Sequence, residues 1–197
     1  QKTNKSNEYY RIVSFGLPAA KTCPGALACK SICYAQQGNY RRFNVIKSRE
    51  HNYKQSLRSD FYKILERDLS VLSKKYNCVR IHDSGDFYNK KYLNVWLKVS
   101  KKFPNVRFYA YSKSLSIFPK VLPKNFVLIQ SLGGKYDKLV NIRRSFCRIF
   151  SSHNKRAKKG FLNGNKTDLY AIQGKTRIGL VVHSNKKLTT AQKKYFS

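Results

Sequence analysis

Asn77-Cys78-Val79-Arg80-Ile81-His82-Asp83-Ser84-Gly85-Asp86-Phe87 is the stretch whose reading decides the fold. Its first half has strand character, with β-branched Val79 and Ile81, and its second half is polar and broken by Gly85. Asn89 then offers a helix cap. Tyr92, Trp96, Val99 and Phe103 recur at helical spacing until Pro104 ends the run. Strand, polar loop and helix together make one βα unit. Further strands are predicted at Tyr10–Phe15, Val106–Tyr111, Phe126–Ile129, Ser145–Phe150 and Ile178–Val182, with a short one over Asp168–Ile172. Asn39–Leu72 reads as two helices. Phe43, Ile46, Tyr53 and Leu57 share a face of the first, and Ser59-Asp60 cap the second, where Phe61, Leu65, Leu69 and Leu72 repeat. The alternation predicts a single α/β domain of about six βα units with a mostly parallel sheet, open or closed into a partial barrel. It runs over residues 9–185, between a polar arm at 1–8 and a polar tail at 186–197 that reads as a short helix; residues 151–167 form a basic, polar connection.

In such sheets chemistry gathers outside the carboxyl ends of the strands. The polar insertions fall there, and the first holds Cys23-Pro24-Gly25-Ala26-Leu27-Ala28-Cys29-Lys30-Ser31-Ile32-Cys33-Tyr34-Ala35, within the loop 22–35. Three of the five cysteines of the chain cluster in it. Pro24 and Gly25 free the backbone to fold back, so Cys23, Cys29 and Cys33 are expected to converge on one metal ion or iron–sulfur cluster. The spacing is not that of a zinc ribbon, and a structural zinc completed by Cys147 or a histidine stays open. Three unrelated buried thiols fit a loop so rich in turn residues badly.

His82, Asp83 and Asp86 are the candidate catalytic groups. Strand alternation puts His82 and Ser84 on one side and Asp83 on the other, and Gly85 frees Asp86. A carboxylate there can accept an amine, orient a histidine or act as a general base. The plainer reading has Asp86 capping the next helix and Asp83 paired with one of many cations. Candidate cofactor contacts are Ser84, Gly85, Asp86, Ser112, Lys113, Ser131, Gly133, Gly134 and His183, all at strand ends.

The charge is extreme: 41 Lys and Arg face 9 Asp and Glu, a net +32 over 197 residues. Self-repulsion of that size calls for an anionic partner, nucleic acid or another polyanion, although an AT-rich genome also inflates Lys. Tyr9-Tyr10, Tyr34, Tyr40 and Tyr88 beside basic residues have the composition of base-stacking sites. With 41% hydrophobic residues the chain has the makings of a core. No apolar run reaches bilayer length, no signal-peptide pattern opens the chain, and the cysteines do not form a disulfide framework. A reducing, cytoplasmic setting is expected, with no membrane partner.

Gly16-Leu17-Pro18-Ala19-Ala20-Lys21-Thr22-Cys23-Pro24-Gly25-Ala26, Cys29 and Cys33-Tyr34-Ala35 together resemble the opening of the gene product 88 family of phage proteins. The resemblance continues through Val79–Tyr88, Arg107–Ser114, Ser131–Gly134, Arg148–Ser152 and Ile178–His183. It implies a phage or mobile-element origin, and so the interior of a host cell. More distantly, the cysteine triplet after the first strand resembles the cluster loop of radical S-adenosylmethionine enzymes, with wider spacing and Tyr34 after the third thiol. That likeness implies a 4Fe–4S cluster on Cys23, Cys29 and Cys33, S-adenosylmethionine on its open iron, and Ser84-Gly85-Asp86 at the cofactor's amino group. The leading expectation is therefore an iron–sulfur enzyme acting on nucleic acid or a nucleotide. The alternatives are a basic nucleic-acid-binding module with a structural zinc, and a nuclease holding a divalent cation on His82, Asp83 and Asp86.

Overall fold

A computed structural model describes residues 9–182 together with 189, 190 and 196. Its strands are β1 (Ile12–Phe15), β2 (Cys78–Ile81), β3 (Arg107–Ser112), β4 (Phe126–Ser131), β5 (Phe146–Phe150), β6 (Leu162–Asn163) and β7 (Ile178–Val181). All pairs are parallel, in the order β1-β2-β3-β4-β5-β7-β6, and the sheet curls into a half-barrel. Parallel strands need crossovers, and the longest of these carry α1 (Phe43–Ser56), α2 (Phe61–Leu72) and α3 (Lys90–Lys102). Four shorter connections hold only α4 (His153–Lys158), α5 (Leu169–Ile172) and single 3₁₀ turns.

Alternation along the strands splits the core in two. Val79, Ile81, Phe108 and Phe126 face outward and bury against Phe61, Leu65 and Leu69 of α2 and Leu93, Trp96 and Leu97 of α3. Phe15, Phe61, Tyr92 and Trp96 meet there as tilted, stacked and edge-on rings, the geometries an aromatic quadrupole favours. Cys78, Tyr109, Ile129, Cys147 and Ile178 face inward, and Ala171 and Ile172 of α5 close over them.

Asn89 caps α3 as expected, its Oδ1 accepting from the Tyr92 N–H at 2.8 Å. The Asp60 carboxylate does not cap α2, because the Arg58 guanidinium takes both its oxygens at 2.8 Å. The expected apolar face of α1 fails too. Phe43, Ile46 and Leu57 are 75%, 49% and 58% exposed. Of that face only Tyr53 packs inward, edge-on against Tyr88, and polar contacts do the rest: Asn52 Nδ2 donates to the Gly16 carbonyl, and Ser56 Oγ lies 2.9 Å from the Tyr88 hydroxyl. The predicted strand at Asp168–Ile172 is the helix α5. Thr167 Oγ1 accepts from the Leu169 N–H, and the Asp168 carboxylate is held by Arg80 and Tyr109, which draws the segment across the inner face. The basic connection 151–167 contains α4, capped by Ser152, and β6. The predicted tail helix and His183 lie outside the described residues.

The two core assignments separate in a denaturation experiment. Phe61→Ala should cost about 3–5 kcal/mol by leaving a cavity under α2. Phe43→Ala should change stability by no more than about 0.5 kcal/mol in urea titrations.

Candidate functional site

The loop from Gly16 to Arg42 lies over the carboxyl ends of the strands, and close backbone contacts fix it there. A Cβ on Gly25 would stand 2.4 Å from the Lys113 carbonyl oxygen, and one on Gly134 would stand 2.6 Å from the Gly25 carbonyl oxygen. Ala26 bridges Gly134, and the Lys135 N–H donates to the Gly25 carbonyl at 2.9 Å. At the end of β2, Gly85 has φ of 84°, and a side chain on it would meet Thr22 Oγ1 at 2.6 Å. Leu17 pairs with Ser84, N–H to carbonyl at 2.8 Å and Ser84 Oγ back to the Leu17 carbonyl at 2.6 Å. Glycines at these contacts let the loop seat directly on the strand ends.

Past Ala26 the chain runs through three 3₁₀ turns, Ala28–Ile32, Tyr34–Gln36 and Gly38–Arg41. All three loop thiols are free and half-buried. Burial pushes the Cys23 thiol up to about 12, and the nearby Asp86, Cys33 and Cys29 add to the shift. Burial, then Cys29, raise Cys33. The thiols are thus electrostatic neighbours. Among the described residues no group of three His, Cys, Asp or Glu side chains is placed to hold a metal ion. Cys147, the suggested fourth ligand, is buried with Lys113 and Ser131 as its neighbours.

Asp86 is buried, and it holds the centre of this arrangement. Its carboxylate accepts from the Phe87 N–H at 2.7 Å, Ser112 Oγ at 2.7 Å and the Lys113 N–H at 2.9 Å. Burial raises its pKa against the lowering effect of those donors. It therefore braces the ends of β2 and β3 and does not cap α3. Lys113 Nζ turns to Ser131 Oγ and the Leu132 carbonyl, both at 2.6 Å, and clamps β4. Gly133 and Gly134 donate their N–H groups to Asp137. Each of these expected cofactor contacts is engaged within the protein.

His82, Asp83 and Asp86 do not meet as a divalent-cation triad. His82, at φ 67°, faces the outer core, with Nε2 2.8 Å from the Tyr92 hydroxyl and its ring against Phe87. Asp83 lies on the other side, paired with Arg49 Nη2 at 2.5 Å. Its free Oδ1 and the free Arg49 Nε both crowd Gly16, where a Cβ would sit 2.1 Å from that oxygen. The plainer reading of Asp83 as an ion-pair partner is the one observed.

Two features escaped the sequence reading. Tyr34 hydrogen-bonds the Asp83 carbonyl at 2.5 Å and stacks edge-on with Tyr40, tying the cysteine loop to β2. On the inner face Arg80 pairs with Asp168 at 3.1 Å, and the Tyr109 hydroxyl donates to the same oxygen at 3.0 Å. An arginine alternating with Val79 and Ile81 in a buried strand was the available signal for that pair.

A family model described as Gene product 88 matches residues 1–195. The chain belongs to the Gene product 88 family. A Gene 88 protein of Mycobacterium phage D29 is 24% identical over 208 residues, covering 89% of this chain and 85% of the D29 protein. A Gene 88 protein of Mycobacterium phage L5 is 30% identical over 116 residues, covering 51% of this chain and 47% of that relative. No solved structure matches. Among the described residues no helix is long and apolar enough to cross a membrane.

Burial lowers the His82 pKa to about 3. The folded protein therefore keeps this ring neutral where the unfolded chain takes a proton. The stability it contributes is complete above the ordinary histidine range and is lost as pH falls towards 3, at up to about 1.4 kcal/mol per pH unit. The raised Asp86 acts in the opposite sense, losing stability as pH rises through its own titration. Comparing urea unfolding of the protein and of His82→Phe between pH 7 and 4 isolates the histidine contribution. The variant should lack that acid-linked loss.

Proposed function

We propose that this phage protein is an iron–sulfur enzyme acting on nucleic acid or a nucleotide, with Cys23, Cys29 and Cys33 as cluster ligands. The observation that carries the reading is the set of three free, half-buried, mutually interacting thiols on a loop locked over the carboxyl ends of a parallel half-barrel. The donor set fits. It is all sulfur, which suits iron–sulfur clusters and zinc alike. A tetrahedral zinc would need sulfurs about 3.8 Å apart, given a Zn–S bond of about 2.3 Å. A cluster binds each thiolate to a different iron and so accepts a wider triangle than a single ion does.

A cluster held by three thiolates supplies one-electron chemistry and one iron with an open position. The protein's own residues supply placement. Asp86 and Lys113 fix the heights of three strand ends, Tyr34 fixes the loop, and the neutral Arg80–Asp168–Tyr109 group closes the inner face beneath it. For S-adenosylmethionine the Ser84 and Asp86 side chains are already buried and bonded within the protein, which leaves the half-exposed Gly85 main chain as the part of that strand end open to an amino group. The +32 charge supports the polyanionic substrate class.

Anaerobic purification should give brown protein with iron and sulfide near cluster stoichiometry, and Cys23→Ala, Cys29→Ala and Cys33→Ala should each lose it. Colourless protein holding zinc would overturn the cluster. Single-stranded DNA or RNA should bind with an affinity that falls steeply with salt. No binding at low salt would remove the nucleic-acid part of the reading.

A further inference from the structure

The three long helices cover only part of the outer face of the sheet. The connections from β3 to β4 and from β4 to β5 contain no helix beyond the 3₁₀ turns Leu115–Ile117 and Asp137–Leu139. Crossovers between parallel strands ordinarily carry a helix that covers the sheet. Here the outer side of β4 has a groove of about 570 Å³ instead. Phe126 and Leu128 contribute to its lining, with Phe118, Leu122 and Leu139 beside them. Leu139 is 54% exposed, and Val121 and Ile142, neighbours in sequence of lining residues, are 84% and 70% exposed.

The same groove is cationic and carries no acid. Lys120, Lys124, Arg107 and Arg144 line it together with the apolar residues. The Arg144 and Arg107 guanidinium groups donate to the Lys120 and Lys124 carbonyls, so main chain holds their positions and leaves their charge uncompensated. Among the described residues the carboxylates lie elsewhere. Glu50, Asp60, Glu66 and Asp68 sit on or next to α1 and α2, each within an ion pair. Asp83, Asp86, Asp137 and Asp168 are held by internal bonds.

We propose that this groove docks an acidic amphipathic helix of a partner protein, which supplies the helical layer missing from β4. Leucine or phenylalanine on one face of such a helix fills the apolar lining, and flanking Asp or Glu meets the four cations. A second copy of this chain would bring +32 against +32. A nucleic acid would satisfy the cations but leave Phe118, Leu122 and Leu139 uncovered. The proposal is independent of the cluster.

The probe is a fluorescent peptide of about 20 residues with leucines at helical i, i+3, i+4 and i+7 spacing among glutamates and alanines. Its control is a scrambled peptide of the same composition, and both are titrated with the full chain at physiological salt. The patterned peptide should bind saturably and about tenfold or more tighter than the scrambled one. Leu139→Asp and the pair Lys120→Glu, Arg144→Glu should each weaken it about tenfold. These positions are exposed, and matching thermal melts show that the variants are folded. Single-stranded oligonucleotide affinity should be unchanged in Leu139→Asp. Equal binding of both peptides, or indifference of the patterned peptide to the groove variants, overturns the proposal and leaves a nonspecific polyanion response.

Discussion

A carboxylate buried without a cation in contact governs the mouth of this half-barrel. Removing Asp86 from water costs several kcal/mol, and only well-aimed donors offset it. The donors are Phe87 N–H at the end of β2, and Ser112 Oγ and Lys113 N–H at the end of β3. Meeting them all fixes one strand end against the next. The nearest strong cation, Lys113 Nζ, is drawn away by Ser131 and Leu132. The charge on Asp86 is therefore left to act on its other neighbour, the Cys23 thiol, which it raises. Burial is the larger cause of that rise, so the Cys23 thiol stays protonated and uncharged unless something offsets its desolvation.

The framework was legible in the sequence because each βα unit is announced locally. Alternation marks Val79 and Ile81, Asn89 supplies a cap, and Pro104 a stop, all within a few residues of the element they define. The errors arose where distant partners override local pattern. Asp168–Ile172 has strand-like composition, but Arg80, far away in sequence, captures Asp168 and leaves the segment as a helical turn across the inner face. The α1 apolar residues kept helical spacing and formed a helix, yet the side facing the protein was chosen by Asn52 and Ser56. For the site, the positions of the loop and the strand ends were readable. Which of their side chains would already be satisfied by one another was not, because each bond joins groups from different strands.

Glycine does in this site what side chains do elsewhere. Gly16, Gly25, Gly85 and Gly134 sit where a single Cβ would strike Asp83, Lys113, Thr22 or the Gly25 carbonyl. At Gly25 and Gly134 the cysteine loop packs directly against backbone, and at Gly16 and Gly85 against the side chains of Asp83, Arg49 and Thr22. Such a seat has little freedom to lose when a ligand binds, which is the condition for holding a metal centre in fixed geometry.

Scarcity of acids also narrows the chemistry. Apart from Glu8, outside the described residues, every carboxylate is either paired on the α1–α2 side or spent inside the protein, on Arg49, Arg80, the Gly133–Gly134 amides or the ends of β2 and β3. A divalent cation such as Mg²⁺ needs oxygen ligands with charge to spare. Releasing Asp83 or Asp86 for it would strip the half-buried Arg49 guanidinium or two strand ends of their partner, at a cost of several kcal/mol for the buried Asp86. The thiols carry no such structural duty. At the mouth of this fold the proposed sulfur site is therefore the one metal centre that would not require dismantling the carboxylate contacts that present it.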